Sequence, residues 1–239
     1  HAEWLGGDWR KTYSAILTDL KPQFIRISAP WNDVEATQGV FDFSAVDWQM
    51  DQAKKYGSKV TLVVGQKAPR WPECHVPEWI KEYSDEKIKE FLLQYVETVV
   101  KRYKDHPALE WWQVENEPFI KFRFGDCARY NKDFIFDEIA LVRSLDSTHK
   151  ILVTDSGELG MWYSASRAGD TFGTTLYRVV RNKDGKIVEY SWLPPWFYTL
   201  KSYVLGKGLS RFVIAELQEE PWFTDKPQAE TPITEQEET

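Results

Sequence analysis

The chain has 239 residues, 42% of them hydrophobic, enough for one sizeable core and with nothing that demands two domains. Lys and Arg total 30 against 37 Asp and Glu, a formal net charge of −7, which argues against a nucleic-acid partner and against an anionic membrane surface. No run reaches the ~18 apolar residues of a membrane span and no signal peptide is visible; two cysteines make neither a disulfide framework nor a zinc site, so no metal or cofactor is expected.

Short β-branched or apolar runs recur, each followed by a segment with helical period. Asp8 is placed to cap a first helix carrying Trp9, Tyr13, Ile16, Leu17 and Leu20. A first strand is expected at Phe24–Ser28, and Ser44 with Asp47 resembles a capping pair ahead of Val46, Met50 and Ala53. A second strand at 60–65 precedes the clearest helix, Asp85–Tyr103. There Ile88, Phe91, Leu92, Tyr95, Val96, Val99, Val100 and Tyr103 fall at steps of three and four, behind Ser84 at the N-cap. Further strands are read at 110–115, 151–155, 172–176 and 212–216, with helices over about 132–144 and 195–205, the last ended by Gly206 and Gly208.

Repeated βα units leave two architectures, an open doubly wound sheet or a closed (β/α)8 TIM barrel. None of the strands is followed by G-x-G-x-x-G or G-x-x-x-x-G-K-S/T, which favours the barrel. Six strands are found where a closed barrel has eight, so strand one is expected before His1 and strand eight after Thr239. The chain thus reads as a fragment, with an incomplete catalytic barrel domain over 1–223 and a polar loop or disordered tail over 224–239. Unclosed, such a barrel leaves the edges of its second and seventh strands unpaired.

Asn116-Glu117-Pro118 closes the hydrophobic run Leu109-Glu110-Trp111-Trp112-Gln113-Val114, and the run Arg211-Phe212-Val213-Ile214-Ala215 also ends in a glutamate, Glu216. The 99 positions between the two glutamates make three units of about 33, the size obtained by dividing a barrel of ~250 residues by eight. Strands three apart face one another over a barrel mouth, and two carboxylates converging there are what glycoside hydrolysis needs. Glu115 competes for the acid role but lies one alternation earlier. Glu219 and Glu220 compete for the other, Glu220 as a substrate-contacting loop carboxylate or as the nucleophile of a longer strand.

Twelve tryptophans beside 13 phenylalanines and 11 tyrosines tilt the reading toward a carbohydrate cleft, since indole faces stack on the C–H surface of sugars. Trp31 and Trp222 follow strands and are the favoured platforms, with Trp71 and Trp192 behind them; Trp111 and Trp112 alternate within a strand and are mostly structural. His75 is a loop residue that either touches a sugar hydroxyl or is solvated. Cys74 and Cys127 lie in loops after consecutive strands, where a disulfide and two free thiols are both open.

With these residues the chain resembles the clan A glycoside hydrolases, the (β/α)8 enzymes that include the family 5 cellulases. The likeness spans about 8–222 and is carried by Phe24-Ile25-Arg26-Ile27-Ser28-Ala29-Pro30-Trp31, Gln113-Val114-Glu115-Asn116-Glu117-Pro118, Thr174-Thr175-Leu176-Tyr177-Arg178 and Val213-Ile214-Ala215-Glu216. It implies a retaining, cellulase-like β-glycosidase of polysaccharide degradation acting on a neutral oligo- or polysaccharide. Glu117 would be general acid and then base, and Glu216 the nucleophile, about 5–5.5 Å apart. Asn116 would donate to the sugar 2-hydroxyl. Arg26 would orient Glu216 and keep it ionised, or be a plain mouth salt bridge, and Tyr177 would give Glu216 a second hydrogen bond, or be a rim tyrosine. A non-catalytic sugar-binding barrel is the alternative, against which two intact glutamates speak. Sugar, linkage, oligomeric state and compartment are not written in these motifs. An aldolase or metal-dependent hydrolase finds no support in a strand-end lysine or a His-x-His cluster.

Overall fold

Six strands pair in sequence order, each parallel to the next: β1 (Phe24–Ser28), β2 (Lys59–Val64), β3 (Leu109–Val114), β4 (Lys150–Asp155), β5 (Thr171–Leu176) and, after the antiparallel hairpin of β6 (Val179–Arg181) and β7 (Ile187–Glu189), β8 (Phe212–Leu217). The computed structural model describes residues 6–69, 72–120, 127, 130–181, 186–190, 192–206, 208 and 212–218. Trp71, Glu219, Glu220, Trp222 and the 224–239 segment lie outside the described residues.

Helices occupy the connections, α1 (Trp9–Ala15), α3 (Ser44–Tyr56), α4 (Asp85–Tyr103), α5 (Ile135–Leu145) and α7 (Pro195–Val204), with two short ones, α2 (Trp31–Val34) and α6 (Tyr163–Ala168). Parallel strands with helices between them make this a partial (β/α)8 barrel. Its strands lie within one residue of the positions expected from the sequence. The α4 helix has the expected bounds: the Ser84 hydroxyl accepts the Lys87 N–H, and Ile88, Leu92, Tyr95, Val96, Val99, Val100 and Tyr103 are buried. Asp8 caps α1, accepting from the backbone of Arg10 and Lys11.

Ser44 and Asp47 are not a capping pair. Asp42 accepts the Ser44 N–H at 2.8 Å, and Asp47 instead accepts from Arg102 and Tyr103 of α4, which ties the two helices together.

The sheet has two unlike faces. Ile27, Val60, Leu62, Val64, Trp112, Val114, Ile151, Val153 and Phe172 belong to one buried cluster with Leu92, Tyr95, Val96 and Val99 of α4. On the opposite face, Phe24 and Arg26 of β1 meet Trp111 and Gln113 of β3: the rings stack with centroids 6.3 Å apart, and Arg26 Nη1 donates to Gln113 Oε1 at 3.3 Å. Among the described residues β1 and β8 are the sheet's edges, and Phe24, Ile214 and Leu217 on them are exposed, whereas β2 and β4 are buried at every position after the first. No helix of the described residues is long and apolar enough to cross a membrane.

Candidate active site

The C-terminal ends of β1, β3, β4, β5 and β8 gather the polar residues. At the exit of β3 the backbone turns through two left-handed residues, Glu115 at φ 61° and Glu117 at φ 44°. Such conformations cost on the order of 1–3 kcal/mol each and persist only where neighbours enforce them. Here Glu115 N–H donates to Val64 O at 2.8 Å, Gln113 Nε2 donates to Glu115 O at 3.0 Å, and Glu117 N–H donates to Thr154 Oγ1 at 3.0 Å. The result turns Glu117 toward β5, where Thr175 Oγ1 donates to its Oε1 at 3.5 Å.

Thr175 is also the register partner of Glu216 on β8, so one threonine sits beside both glutamates. Glu216 is held at both oxygens: Arg26 Nη2 donates to Oε1 at 2.8 Å and Tyr177 Oη donates to Oε2 at 2.8 Å. Glu158 supports this arrangement by accepting the Tyr177 backbone N–H at 3.1 Å and the Tyr198 hydroxyl at 2.6 Å.

Glu117 is 8% exposed, and its carboxyl is pushed up to about 8, first by burial and then by the negative charge of Glu216, with Glu73 and Asp155 adding to it and Lys67 opposing. Both effects favour its protonated form. The amide of Asn116 is oriented by its surroundings: Oδ1 accepts from Gln113 Nε2 at 3.2 Å and Thr154 Oγ1 at 3.3 Å, which leaves its NH2 group as the donor on the other side.

Two residues that the sequence reading did not single out complete the cluster. Lys67 lies just past β2 and is buried, its ammonium 3.7 Å from Glu73 Oε2 and 3.4 Å from the Glu117 carbonyl oxygen. A lysine thus does stand near a strand end, but as a buried charge engaged with a carboxylate. Glu73 takes a left-handed φ of 70° in the loop after β2, and burial raises its carboxyl to about 6. The available signal was position alone: Lys67 and Glu73 sit in a loop at the same sheet end as the glutamates.

Glu115 is not in the acid position. Its carboxylate crosses to the exit of β2, accepting Gln66 N–H at 2.8 Å and Lys67 N–H at 2.7 Å. Gly65 makes room for it, since a Cβ there would lie 2.6 Å from the Glu115 carboxyl carbon. Glu138 of α5 is wholly buried against Glu115, and burial together with that negative charge pushes its carboxyl well above the usual range.

Trp31 is corrected by the structure. It is fully buried, stacks on Tyr95 at 5.6 Å, meets Trp79 edge-on and donates Nε1–H to Glu35 Oε2 at 2.8 Å. The chain enters α2 directly after Pro30, which turns the ring into the core rather than over the mouth. Trp192, by contrast, is 71% exposed beside Leu193, whose carbonyl oxygen accepts Arg178 Nη1 at 2.7 Å. His75 is half-buried and its backbone is built into the loop, donating to Gln66 O at 2.7 Å and accepting from Asn32 at 2.9 Å. Cys74 and Cys127 form a disulfide, Cα atoms 5.1 Å apart, joining the loops after β2 and β3. A separate cavity of about 600 Å³ opens at the other end of the sheet, among Trp111, His149, Lys150 and Phe212, away from the carboxylates.

Residues 26–138 match the family model described as Glycosyl hydrolase family 10. Mannan endo-1,4-beta-mannosidase F of Aspergillus clavatus is 34% identical over 92 residues, which cover 38% of this chain and 19% of that protein. Among solved structures, the beta-galactosidase from the psychrophilic Marinomonas ef1 superposes with a TM-score of 0.63 at 14% identity, covering 88% of this chain and 46% of its own. GH5_18 from Streptomyces cattleya, solved in complex with GlcNAc, gives 0.55 at 15% identity, covering 73% and 47%. The chain therefore spans about a fifth of that mannosidase and less than half of either solved chain.

Proposed function

We propose that this chain is a clan A glycoside hydrolase that cleaves β-glycosidic bonds of a neutral oligo- or polysaccharide with retention of configuration, a reading supported by the family 10 match and the likeness to the mannosidase. The observation that carries the reading is the contrast between two neighbouring glutamates. Glu117 is buried and holds a proton, while Glu216 receives a guanidinium on one oxygen and a phenol on the other. One is equipped to give a proton and the other to attack, the division of labour that a double displacement requires.

In the first step Glu117 protonates the glycosidic oxygen as Glu216 bonds to the anomeric carbon, and the aglycone leaves as an alcohol. Forming the glycosyl ester consumes the charge on Glu216, which removes part of the repulsion that raised Glu117. The now ionised Glu117 then takes a proton from water, whose oxygen attacks the same carbon and frees Glu216. Asn116, with its oxygen turned to Gln113 and Thr154, offers N–H to the sugar 2-hydroxyl as positive charge develops on the ring. Trp192, which is 71% exposed where Trp31 is buried, takes over from it as the aromatic platform of this reading. A binding protein without catalysis has no use for a protonated carboxyl beside an arginine-held carboxylate.

The test is a panel of aryl β-glycosides (manno, galacto, gluco and xylo) with the product anomer followed by proton NMR, then labelling with a 2-fluoro glycoside. Retention with a covalent adduct on Glu216 is expected. Inversion, or an adduct on Glu220, would overturn the assignment.

A further inference from the structure

We propose that Lys67 is a positioning residue of this site, its buried ammonium balancing the carboxyls from behind Glu117 so that the acid can both hold and release its proton. The inference rests on the reading that Glu117 and Glu216 are the reacting carboxyls.

Burying an ammonium strips it of water, so its position calls for an account. Lys67 is fixed at both ends. Its backbone N–H is held by the Glu115 carboxylate at 2.7 Å, through the space left by Gly65. Its Nζ reaches between the Glu117 carbonyl oxygen at 3.4 Å and Glu73 Oε2 at 3.7 Å, with the Tyr130 ring centroid 5.5 Å away. Nothing in this path serves a solvated surface lysine. Contacts run from Glu115 at the exit of β3 to the Lys67 backbone past β2, and from the Lys67 ammonium back to the Glu117 carbonyl oxygen.

Four charged groups face Glu117 from three elements: Glu216 on β8, Asp155 at the end of β4, and Glu73 and Lys67 on the loop after β2. Three are negative. Arg26 is taken by Glu216, and Lys201 faces Asp155, so Lys67 is the cation on the acid's own side. It also acts on Glu73, Glu115 and Asp155, which makes it common to four carboxyls. An acid that must become a base in the next step gains from such a counterweight, because burial and like charge alone would leave the proton too firmly held. Glu73 is the lysine's opposing partner, its Oε2 3.7 Å from the ammonium.

The test reads protonation without relying on turnover. Protein labelled with 13C at glutamate Cδ is titrated by NMR, the Glu117 resonance being identified by its loss in Glu117→Gln. Removing the ammonium in Lys67→Met is expected to move the Glu117 midpoint up by about one pH unit, and Lys67→Arg to bring it back toward wild type. Glu73→Gln, which removes a negative charge, is expected to move it down. Opposite shifts from the two partners are the signature of charge balance. A midpoint unmoved in Lys67→Met, or moved the same way by Lys67→Met and Glu73→Gln, would overturn the proposal. Should Lys67→Met fail to fold by circular dichroism, Glu73→Gln carries the test alone, and no downward shift in it sinks the idea. Where a glycoside is cleaved, the alkaline limb of kcat/KM follows the same shifts. NMR shifts as expected with no hydrolysis on any substrate would support the charge balance and count against the proposed activity instead.

Discussion

Arg26 and Glu216 stand on strands at the two edges of the described sheet, 190 positions apart in the chain, and their guanidinium and carboxylate meet at 2.8 Å. No backbone hydrogen bond joins β1 to β8 in this sheet, so the contact is made by side chains crossing the concave face. The sheet must curl for this to happen, and the ion pair marks the place where the ends of the curl face one another. Arg26 also reaches Gln113, so one planar group spans β8 and β3.

Removing that group should therefore hurt the chemistry more than the fold. Arg26→Met is expected to lower kcat on aryl β-glycosides by roughly 10- to 150-fold, the worth of a charge-assisted hydrogen bond of about 1.5–3 kcal/mol. Arg26→Lys should recover little, because a single ammonium cannot address Gln113 and Glu216 together. Stopped assays on both variants check this, and a lysine variant with wild-type kcat would refute the bridging role.

In the proposed mechanism Glu117 acts on the leaving group, so its loss should be felt in proportion to the leaving group's need for a proton. Glu117→Ala is expected to slow natural glycosides by about 10²–10⁴-fold, the usual span of general acid catalysis, and dinitrophenyl glycosides much less in their glycosylation step. Pre-steady-state bursts separate that step from hydrolysis of the ester. Equal losses on good and poor leaving groups would remove Glu117 from the acid role.

Trp31 offers the contrasting case of an aromatic that looks functional by position and is structural by burial. Trp31→Ala is expected to cost about 3–5 kcal/mol of stability, as large-to-small changes of buried aromatics do, with KM on short substrates unchanged. Denaturant unfolding alongside steady-state kinetics decides it. An increase in KM with stability intact would restore the platform reading.

The difference between Trp31 and Glu216 shows what the residue string discloses. Apolar, β-branched runs mark the strands, whether buried as in β2 or at the edge as in β8, and a carboxylate ending such a run is placed within a residue by counting. Loop direction leaves no such trace. Trp31 follows its strand as a platform residue would, and only the onset of α2 after Pro30 turns it inward. Lys67 and Glu73 were invisible for the same reason, being ordinary charged loop residues until the Glu115 carboxylate pins the backbone between them and β2. Glu138 was not singled out either, although it falls at helical spacing with Ile135, Ile139 and Val142 and is wholly buried. The hairpin of β6 and β7 has strands of three residues each, too short for an alternation to register.

Burial of these carboxyls also sets how stability responds to pH. A carboxyl whose folded pKa exceeds its unfolded value binds more protons folded than unfolded, so stability falls as pH rises between the two values. For Glu117 that window runs from 4.5 to about 8, and for Glu73 from 4.5 to about 6. Asp146 works in the opposite sense: despite its burial, bonds from Trp112, Thr148 and His149 hold it below the usual 3.8, so its contribution is full above that value and is lost as the pH falls further. Thermal unfolding should accordingly show its highest midpoint near pH 4.5–5 and a steady decline toward pH 8. Glu117→Gln removes one titrating group from the declining limb. Its stability relative to wild type should rise with pH across 5–8, by at most about 1.4 kcal/mol per unit. A difference between the two proteins that stays flat over this range would mean that Glu117 is ionised in the folded state throughout, and the acid would have to be sought elsewhere.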